Sequence, residues 1–327
     1  MLHRAIDRDA EEVMRREKIP LFSLESRRPA GQFDAIGFTL VDETVYTNML
    51  NMIDLAGIPL RSIDRSDSDP LIMAGGPSVY NPEPIAAFVD LFFIGDAEEG
   101  LLEILTLLRE LRDQPRIAKL QAIARQVESV YIPALHSGNG KESADSSMLR
   151  IRARAVKQLR PEYYPQQPIV PLIETVHNHL GIEIMRGCTR GCRFCHAGMI
   201  TRPVRERPVD EILAGIEAGL QHTGYEEVGL LSLSSSDYTH ILELVKAVSE
   251  RFAGRHLNVS LPSLRIESFS VELMDALQDS RRSGFTLAPE AATERMREII
   301  NKPVSTEQLL ETARAIYARG WSNIKLY

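Results

Sequence analysis

Short apolar runs ending in small or polar residues alternate with helically spaced apolar residues along nearly the whole chain. That alternation is the strongest constraint on its fold. Residues 33–40 (FDAIGFTL), 71–76 (LIMAGG) and 91–96 (LFFIGD) read as buried strands. Between them, 46–56 carries apolar residues at helical spacing and 83–89 forms a second, shorter helical stretch, while 98–111 and 116–130 read as two further helices. Strand, helix, strand in succession demands parallel pairing with crossovers, the mark of an α/β fold.

The pattern breaks once and resumes. Residues 136–147 (HSGNGKESADSS) are small and polar without periodicity, a linker or loop, and the proline-rich 163–171 (YYPQQPIVP) must be extended. A strand at 182–186 then leads into a cysteine-bearing loop. Val209, Ile212, Leu213, Ile216 and Leu220 share one helix face, and Ile241, Leu242, Val245 and Val248 share another. Strands are expected at 227–233, 257–261, 284–288 and 323–327, with a helix from about 306 to Gly320 before the last. Four βα units and a fifth strand make a parallel barrel or part of one, whose site would lie at the C-terminal strand ends. The expected organisation is a first domain at 1–135, a bridge at 136–171 and a second domain at 172–327.

The net charge of -7 gives no global attraction to nucleic acid or anionic membrane. The N-terminus (MLHRAIDRDAEEVMRREK) has no apolar core of the signal-peptide kind, and the most apolar stretch, 85–94, is short and interrupted by Asp90. A bilayer span takes roughly 20 apolar residues. A cytoplasmic, reducing location with no membrane partner is therefore expected. All 3 cysteines lie in one eight-residue stretch, which argues for a metal or cluster rather than a disulfide framework.

That stretch is Arg186-Gly-Cys188-Thr-Arg-Gly-Cys192-Arg-Phe-Cys195-His196. Three thiolates spaced Cx3Cx2C can ligate three irons of a [4Fe–4S] cubane and leave the fourth without a protein ligand. An open position is where a substrate binds a catalytic metal; in radical chemistry that iron chelates the amino and carboxylate groups of S-adenosylmethionine (SAM). Gly187 and Gly191 permit tight turns, and Phe194 either shields the cluster and borders the adenine or is a simple core aromatic. Three rival readings exist. A c-type haem string at Cys192-x-x-Cys195-His196 and a redox CxxC pair both leave Cys188 unexplained. A zinc site of the three cysteines plus His196 would crowd all its ligands into nine residues. Six arginines (Arg186, Arg190, Arg193, Arg202, Arg205, Arg207) surround the cysteines. They either favour the reduced cluster or an anionic substrate such as RNA, or they pair with carboxylates such as Glu206, Asp210 and Glu211.

With those residues in view, the chain resembles the radical SAM superfamily. More narrowly it is similar to the B12-binding-domain radical SAM proteins of the YgiQ-like group. The stretches that carry the likeness include IPLFSLES, AGGPSVYNPEP, RGCTRGCRFCHAGMITRPVRER, LLSLSSSD, SLPSLR, LAPEAATERMREIINKP and GWSNIKLY. The resemblance implies a Rossmann-like, cobalamin-binding-type first domain and a partial radical SAM barrel. It also implies that Cys188, Cys192 and Cys195 hold the cluster, and that an external donor of the flavodoxin or ferredoxin type reduces it. Ser234 and Ser235 fall where the family contacts the SAM amino group, without the usual Gly-Gly-Glu. Arg265 would pair with the SAM carboxylate and Glu290 would bond the ribose hydroxyls; strand-end capping or surface pairing accounts equally for these positions. Gly75 and Gly76 match a glycine pair that admits a corrin tail, although the axial-histidine string Asp-x-His-x-x-Gly is missing, so the fold carries cobalamin or is retained without it. Relatives extend at both ends, so a shortened chain is expected. The implied activity is SAM-dependent radical catalysis, with methyl or methylthio transfer, to RNA or another substrate, as the subclass. A non-catalytic cluster-binding module and a zinc-stabilised RNA-binding module are the alternatives.

Overall fold

The structure, a computed structural model, describes residues 8–136, 151–173, 175–255, 257–262, 264–268, 271–276 and 285–327. The chain divides into two compact units, Met1–Val156 and Lys157–Tyr327. The first runs beyond residue 135, because the backbone of Arg154 bridges Gly95 and its guanidinium pairs with Glu103 at 2.7 Å and Glu99 at 3.2 Å. The polar stretch expected as a linker, 136–147, lies outside the described residues except for His136.

In the first unit, α1 (Arg8–Arg16) precedes β1 (Ala35–Thr39), α2 (Tyr46–Leu55), β2 (Leu71–Gly75) and β3 (Leu91–Phe93). Then come α3 (Ala97–Glu110), α4 (Arg116–Gln126), β4 (Val130–Tyr131) and the short α5 (Pro133–His136). The sheet order is β1-β2-β3-β4, with the first three parallel and β4 antiparallel to β3. The faces of β2 explain its unbroken apolar run. Ile72 and Ala74 join a core with Met49 and Ile53 of α2, while Leu71 and Met73 join another with Ile104 and Leu108 of α3 and Leu120 and Ile123 of α4. A strand covered on both sides cannot alternate with polar residues. Each such side chain contributes about 1.5–3 kcal/mol by leaving water. Two expectations need correction. The end of the stretch read as helix, 127–130, leaves α4 after Gln126 and enters β4. The stretch 83–89 holds only a 3-10 turn at Glu83–Ile85, since Pro82 and Pro84 supply no amide donors.

Beneath this sheet Asp90 is buried with two arginines. One of its oxygens accepts from Arg65 Nη1 at 2.9 Å, from the Ile72 amide at 2.7 Å, and from Arg116 Nη2. The other N–H groups of Arg65 reach the carbonyls of Pro59, Leu60 and Phe88. Gly76, at the end of β2, has φ 101°, and a Cβ there would lie 2.7 Å from the Leu40 carbonyl oxygen. Gly76→Ala is expected to cost about 1–3 kcal/mol through backbone strain alone, read as a lower urea midpoint; an unchanged midpoint would contradict this packing.

The second unit contains β5 (Leu180–Glu183), β6 (Met185–Arg186), α6 (Ala197–Ile200), β7 (Arg205–Glu206), α7 (Val209–Thr223), β8 (Glu227–Leu231) and α8 (Ile241–Arg251). It continues with β9 (Asn258–Ser260), α9 (Val271–Ala276), β10 (Phe285–Leu287), α10 (Glu294–Ile299), α11 (Thr306–Ala318) and β11 (Ile324–Leu326). β5, β8 and β9 form one parallel sheet and β10 and β11 another parallel pair, a partial barrel built from βα units. Ile212, Ile216 and Leu220 of α7 and Leu244, Val245 and Val248 of α8 pack on Leu180, Val228 and Leu230. Helix α11 opens on a capping box in which Ser305 and Gln308 exchange side-chain and backbone bonds. The strand expected at 182–186 is two strands. β5 stays in the sheet, and β6 turns out to pair antiparallel with β7, Met185 opposite Glu206 and Arg186 opposite Arg205. The cysteine loop is therefore an excursion closed at its base by a two-residue ladder.

Candidate iron-sulfur centre

Gly187 starts the loop at φ 94°, where a Cβ would lie 2.7 Å from the Pro203 carbonyl oxygen and 2.9 Å from that of Thr201. The two arms of the excursion touch here, which only glycine allows. Arg202 crosses between them, donating to the carbonyls of Cys188 at 3.3 Å and Arg190 at 2.8 Å. A second brace comes from the turn after α10. Asn301, held at φ 57°, donates to the Gly191 carbonyl at 2.8 Å, and the Arg193 amide donates to the Ile300 carbonyl at 2.9 Å.

Cys188 and Cys192 are buried and Cys195 is partly so. Each sulfur faces an N–H donor: the Arg190 amide at 3.4 Å from Cys188 Sγ, the Gly198 amide at 3.3 Å from Cys195 Sγ, and Arg265 Nη1 at 3.7 Å from Cys192 Sγ. Gly198 sits between two of them, since a Cβ there would lie 3.5 Å from Cys195 Sγ and 3.9 Å from Cys188 Cβ. Among the described residues no three His, Cys, Asp or Glu side chains converge as ligands of a single ion. The ligands of a cubane bind three different irons and need not meet at one point. Three thiols on one loop, each beside an N–H donor, are a donor set that fits the cluster.

The end of β8 joins this loop. Arg190 grips Asp237 in a fork of 3.0 and 2.6 Å, and Ser234 donates to the same carboxylate at 2.7 Å. Burial alone would raise the Asp237 carboxyl, but Arg190 and Ser234 hold it below the usual carboxylate range. Ser235 donates to the Leu230 carbonyl at 3.2 Å. Ser236 accepts from the Arg265 amide at 3.0 Å and bonds Ser268 at 2.9 Å. So the cysteine loop, residues 234–237 and residues 265–268 come together. Phe194 lies on the loop and is 54 % exposed. Glu290 follows β10 at φ 66°, with its carboxylate on Lys302, next to the bracing Asn301. Breaking the Arg190 fork removes charge-assisted bonds worth about 1.5–3 kcal/mol. Arg190→Gln is expected to lose iron to a chelator faster than the parent protein; an equal rate would show that the fork does not hold the loop.

The six arginines are all engaged within the protein. Arg186 pairs with Glu183 and Arg190 with Asp237. Arg193, Arg202, Arg205 and Arg207 donate to backbone carbonyls, and Arg207 also lies 4.1 Å under the Tyr164 ring. The Tyr238 hydroxyl donates to the Arg207 carbonyl, and burial pushes its pKa up to about 12, so it stays a donor at neutral pH. Glu183 and Asp237 are thus carboxylate partners of this cluster, while Glu206 accepts from Thr239 and the backbone carbonyl of Glu211 is approached by Arg207 at 3.5 Å. Arginines committed in this way give no support to an RNA substrate. Sequence reasoning did not single out Asn301, whose only signal is a place in a family-like stretch, or Glu267, which lies two residues past one.

This fold and this loop define the class. The chain belongs to the radical SAM superfamily: the family model described as "Radical SAM proteins, N-terminal" matches residues 4–133, and that of the "Radical SAM superfamily" matches 182–327. The uncharacterised protein MJ0966 of Methanocaldococcus jannaschii is 28% identical over 310 residues, 94% of this chain and 61% of that protein. The ribosomal protein uS12 methylthiotransferase RimO of Parabacteroides distasonis is 25% identical over 171 residues, 48% of this chain and 38% of that protein. Among solved structures, the radical SAM methyltransferase TsrM of Kitasatospora setae with cobalamin and a [4Fe–4S] cluster bound superposes with TM-score 0.59 at 14% identity, over 90% of this chain and 56% of that one. The cobalamin-dependent SAM radical enzyme OxsB gives 0.60 at 15%, over 90% and 40%. The chain thus spans about three fifths of the curated relative it matches over most of its own length. No described helix is long and apolar enough to cross a membrane.

The glycine pair of the first unit leaves no free space for a corrin tail at Gly76. Leu40 already occupies the space that Gly76 leaves open, with the Ser78 amide on its carbonyl at 3.1 Å, and a Cβ on Gly75 would meet the Phe93 carbonyl only at 3.8 Å. Gly76 is accounted for without cobalamin.

Proposed function

We propose that this chain is a radical SAM catalyst in which Cys188, Cys192 and Cys195 hold a [4Fe–4S] cluster, with methyl or methylthio transfer as its reaction subclass. When bound, the cluster supplies one electron, received from an external donor of the flavodoxin or ferredoxin type, to the sulfonium of SAM, releasing methionine and a 5′-deoxyadenosyl radical. The observation that carries the reading is that all three thiols of a chain with 3 cysteines lie on one braced loop, each beside an N–H donor. Arg190 and Asp237 fix the loop against the end of β8, and Asn301 fixes it from the other side. Phe194 is proposed to cover the adenine, Ser234 and Ser235 to line the amino-group end, and Glu290 to face the ribose. The transfer subclass rests on RimO and TsrM, whose names state methylthio and methyl transfer. Cobalamin is not required by this reading, nor is RNA as substrate.

Anaerobic reconstitution followed by dithionite and SAM is expected to release 5′-deoxyadenosine and methionine. Cluster assembly without SAM cleavage would instead favour a non-catalytic cluster-binding module. Zinc without labile sulfide would favour the zinc-stabilised module.

A further inference from the structure

The three cysteine sulfurs are not treated alike. Two receive neutral backbone amides, whereas Cys192 receives the guanidinium of Arg265. That side chain is 11% exposed and pairs at 3.0 Å with Glu267, itself 17% exposed. Its backbone amide is tied to Ser236, which bonds Ser268, so the residue is anchored against the end of β8. Arg265 Nε and Glu267 Oε2 are both buried without a hydrogen-bond partner. A pair kept for stability alone would satisfy those atoms, because each buried polar atom left unmade is costly. The pair is therefore held for what it does to its neighbour, and its neighbour is a cluster ligand.

We propose that Arg265 and Glu267 form a charge-tuning pair on the Cys192 thiolate, setting the potential at which the cluster accepts its electron. This rests on the cluster reading above and takes Arg265 away from the SAM carboxylate. The couple is one electron passing from an external low-potential donor to the cluster, with no bond made or broken and no proton required. Reduction adds one negative charge to the cluster and its thiolates. A cationic N–H donor on one thiolate stabilises that charge and raises the potential, and a nearby carboxylate opposes it. Both effects are strengthened where water is excluded. Arg265 is thus a positioning and tuning residue acting through Cys192, with Glu267 setting its orientation and limiting its charge.

Opposite signs make this testable. Parent protein, Arg265→Gln, Arg265→Lys and Glu267→Gln would be reconstituted anaerobically, assayed for iron and sulfide, and their midpoint potentials measured without SAM by potentiometry followed by electron paramagnetic resonance. Arg265→Gln should shift the potential to more negative values and Glu267→Gln to more positive ones, with Arg265→Lys between Arg265→Gln and the parent. An Arg265→Gln protein with full iron content and an unshifted potential, or two shifts of the same sign, would overturn the proposal. Should Arg265→Gln alone fail to take up iron, the signs for Arg265→Lys and Glu267→Gln decide. A parent protein without a cluster would defeat the underlying reading instead.

Discussion

Cys192→Ser protein, reconstituted without oxygen, is expected to hold a small fraction of the parent's iron and sulfide and to lose the visible absorption of the cluster. The same is expected of Cys188→Ser and Cys195→Ser. In the proposed site each thiolate would be the sole protein ligand of one iron, and a serine hydroxyl, far less acidic than a thiol, would not replace it at neutral pH. The loop itself should survive, because its shape is set by contacts that do not use sulfur: the β6–β7 ladder, Arg202 across the two arms, Asn301 on Gly191 and Arg190 on Asp237. Far-UV circular dichroism of the metal-free variants should therefore match the parent. Loss of iron with the fold intact marks the cysteines as ligands. Retained iron in any of the three would remove that cysteine from the ligand set.

The largest expected effect on folding lies in the other unit. Asp90→Ala takes the shared acceptor away from Arg65, Arg116 and the Ile72 amide; the Arg65 and Asp90 side chains are almost fully buried and that of Arg116 is 11% exposed. Removing one partner of a buried ion pair leaves an uncompensated charge and costs about 3–5 kcal/mol, a large part of the roughly 5–15 kcal/mol that holds a typical domain. A urea titration followed by circular dichroism should show an early transition in Asp90→Ala. The chain's 1 tryptophan, Trp321, lies in the second unit and is buried, so its fluorescence follows that unit and should move less. A cost under about 1 kcal/mol, the range of an exposed pair, would show that Asp90 is not the buried centre of this network.

What could be read from the sequence follows from how local each interaction is. β2 and β3 were legible because a strand covered on both faces must be a continuous apolar run, and α7 and α8 because their buried residues recur at helical spacing. β4, β6 and β7 were not, since each is two residues long and exists only by pairing with a neighbour. The proposed cysteine site could be picked out because all three thiols lie in one loop. Its supports could not. Arg190 and Asp237 are 47 residues apart, Cys192 and Arg265 are 73 apart, and Gly191 and Asn301 are 110 apart. The arginines near the cysteines could be counted, but which carboxylate or carbonyl each would meet depends on the folded path, and most found carbonyls. Gly76 shows the same limit from the other side: a glycine pair after a strand suggested a ligand, and the backbone of Leu40 turned out to need the space.

One iron of the proposed cluster would be held by no protein ligand and be open to SAM. The most direct measurement is electron paramagnetic resonance of the reduced, anaerobically reconstituted protein with and without SAM, alongside iron and sulfide analysis. The account predicts about four iron and four sulfide per chain and a reduced-cluster signal whose shape changes when SAM binds. A full cluster whose signal is indifferent to saturating SAM, or bound zinc with no labile sulfide, would contradict it.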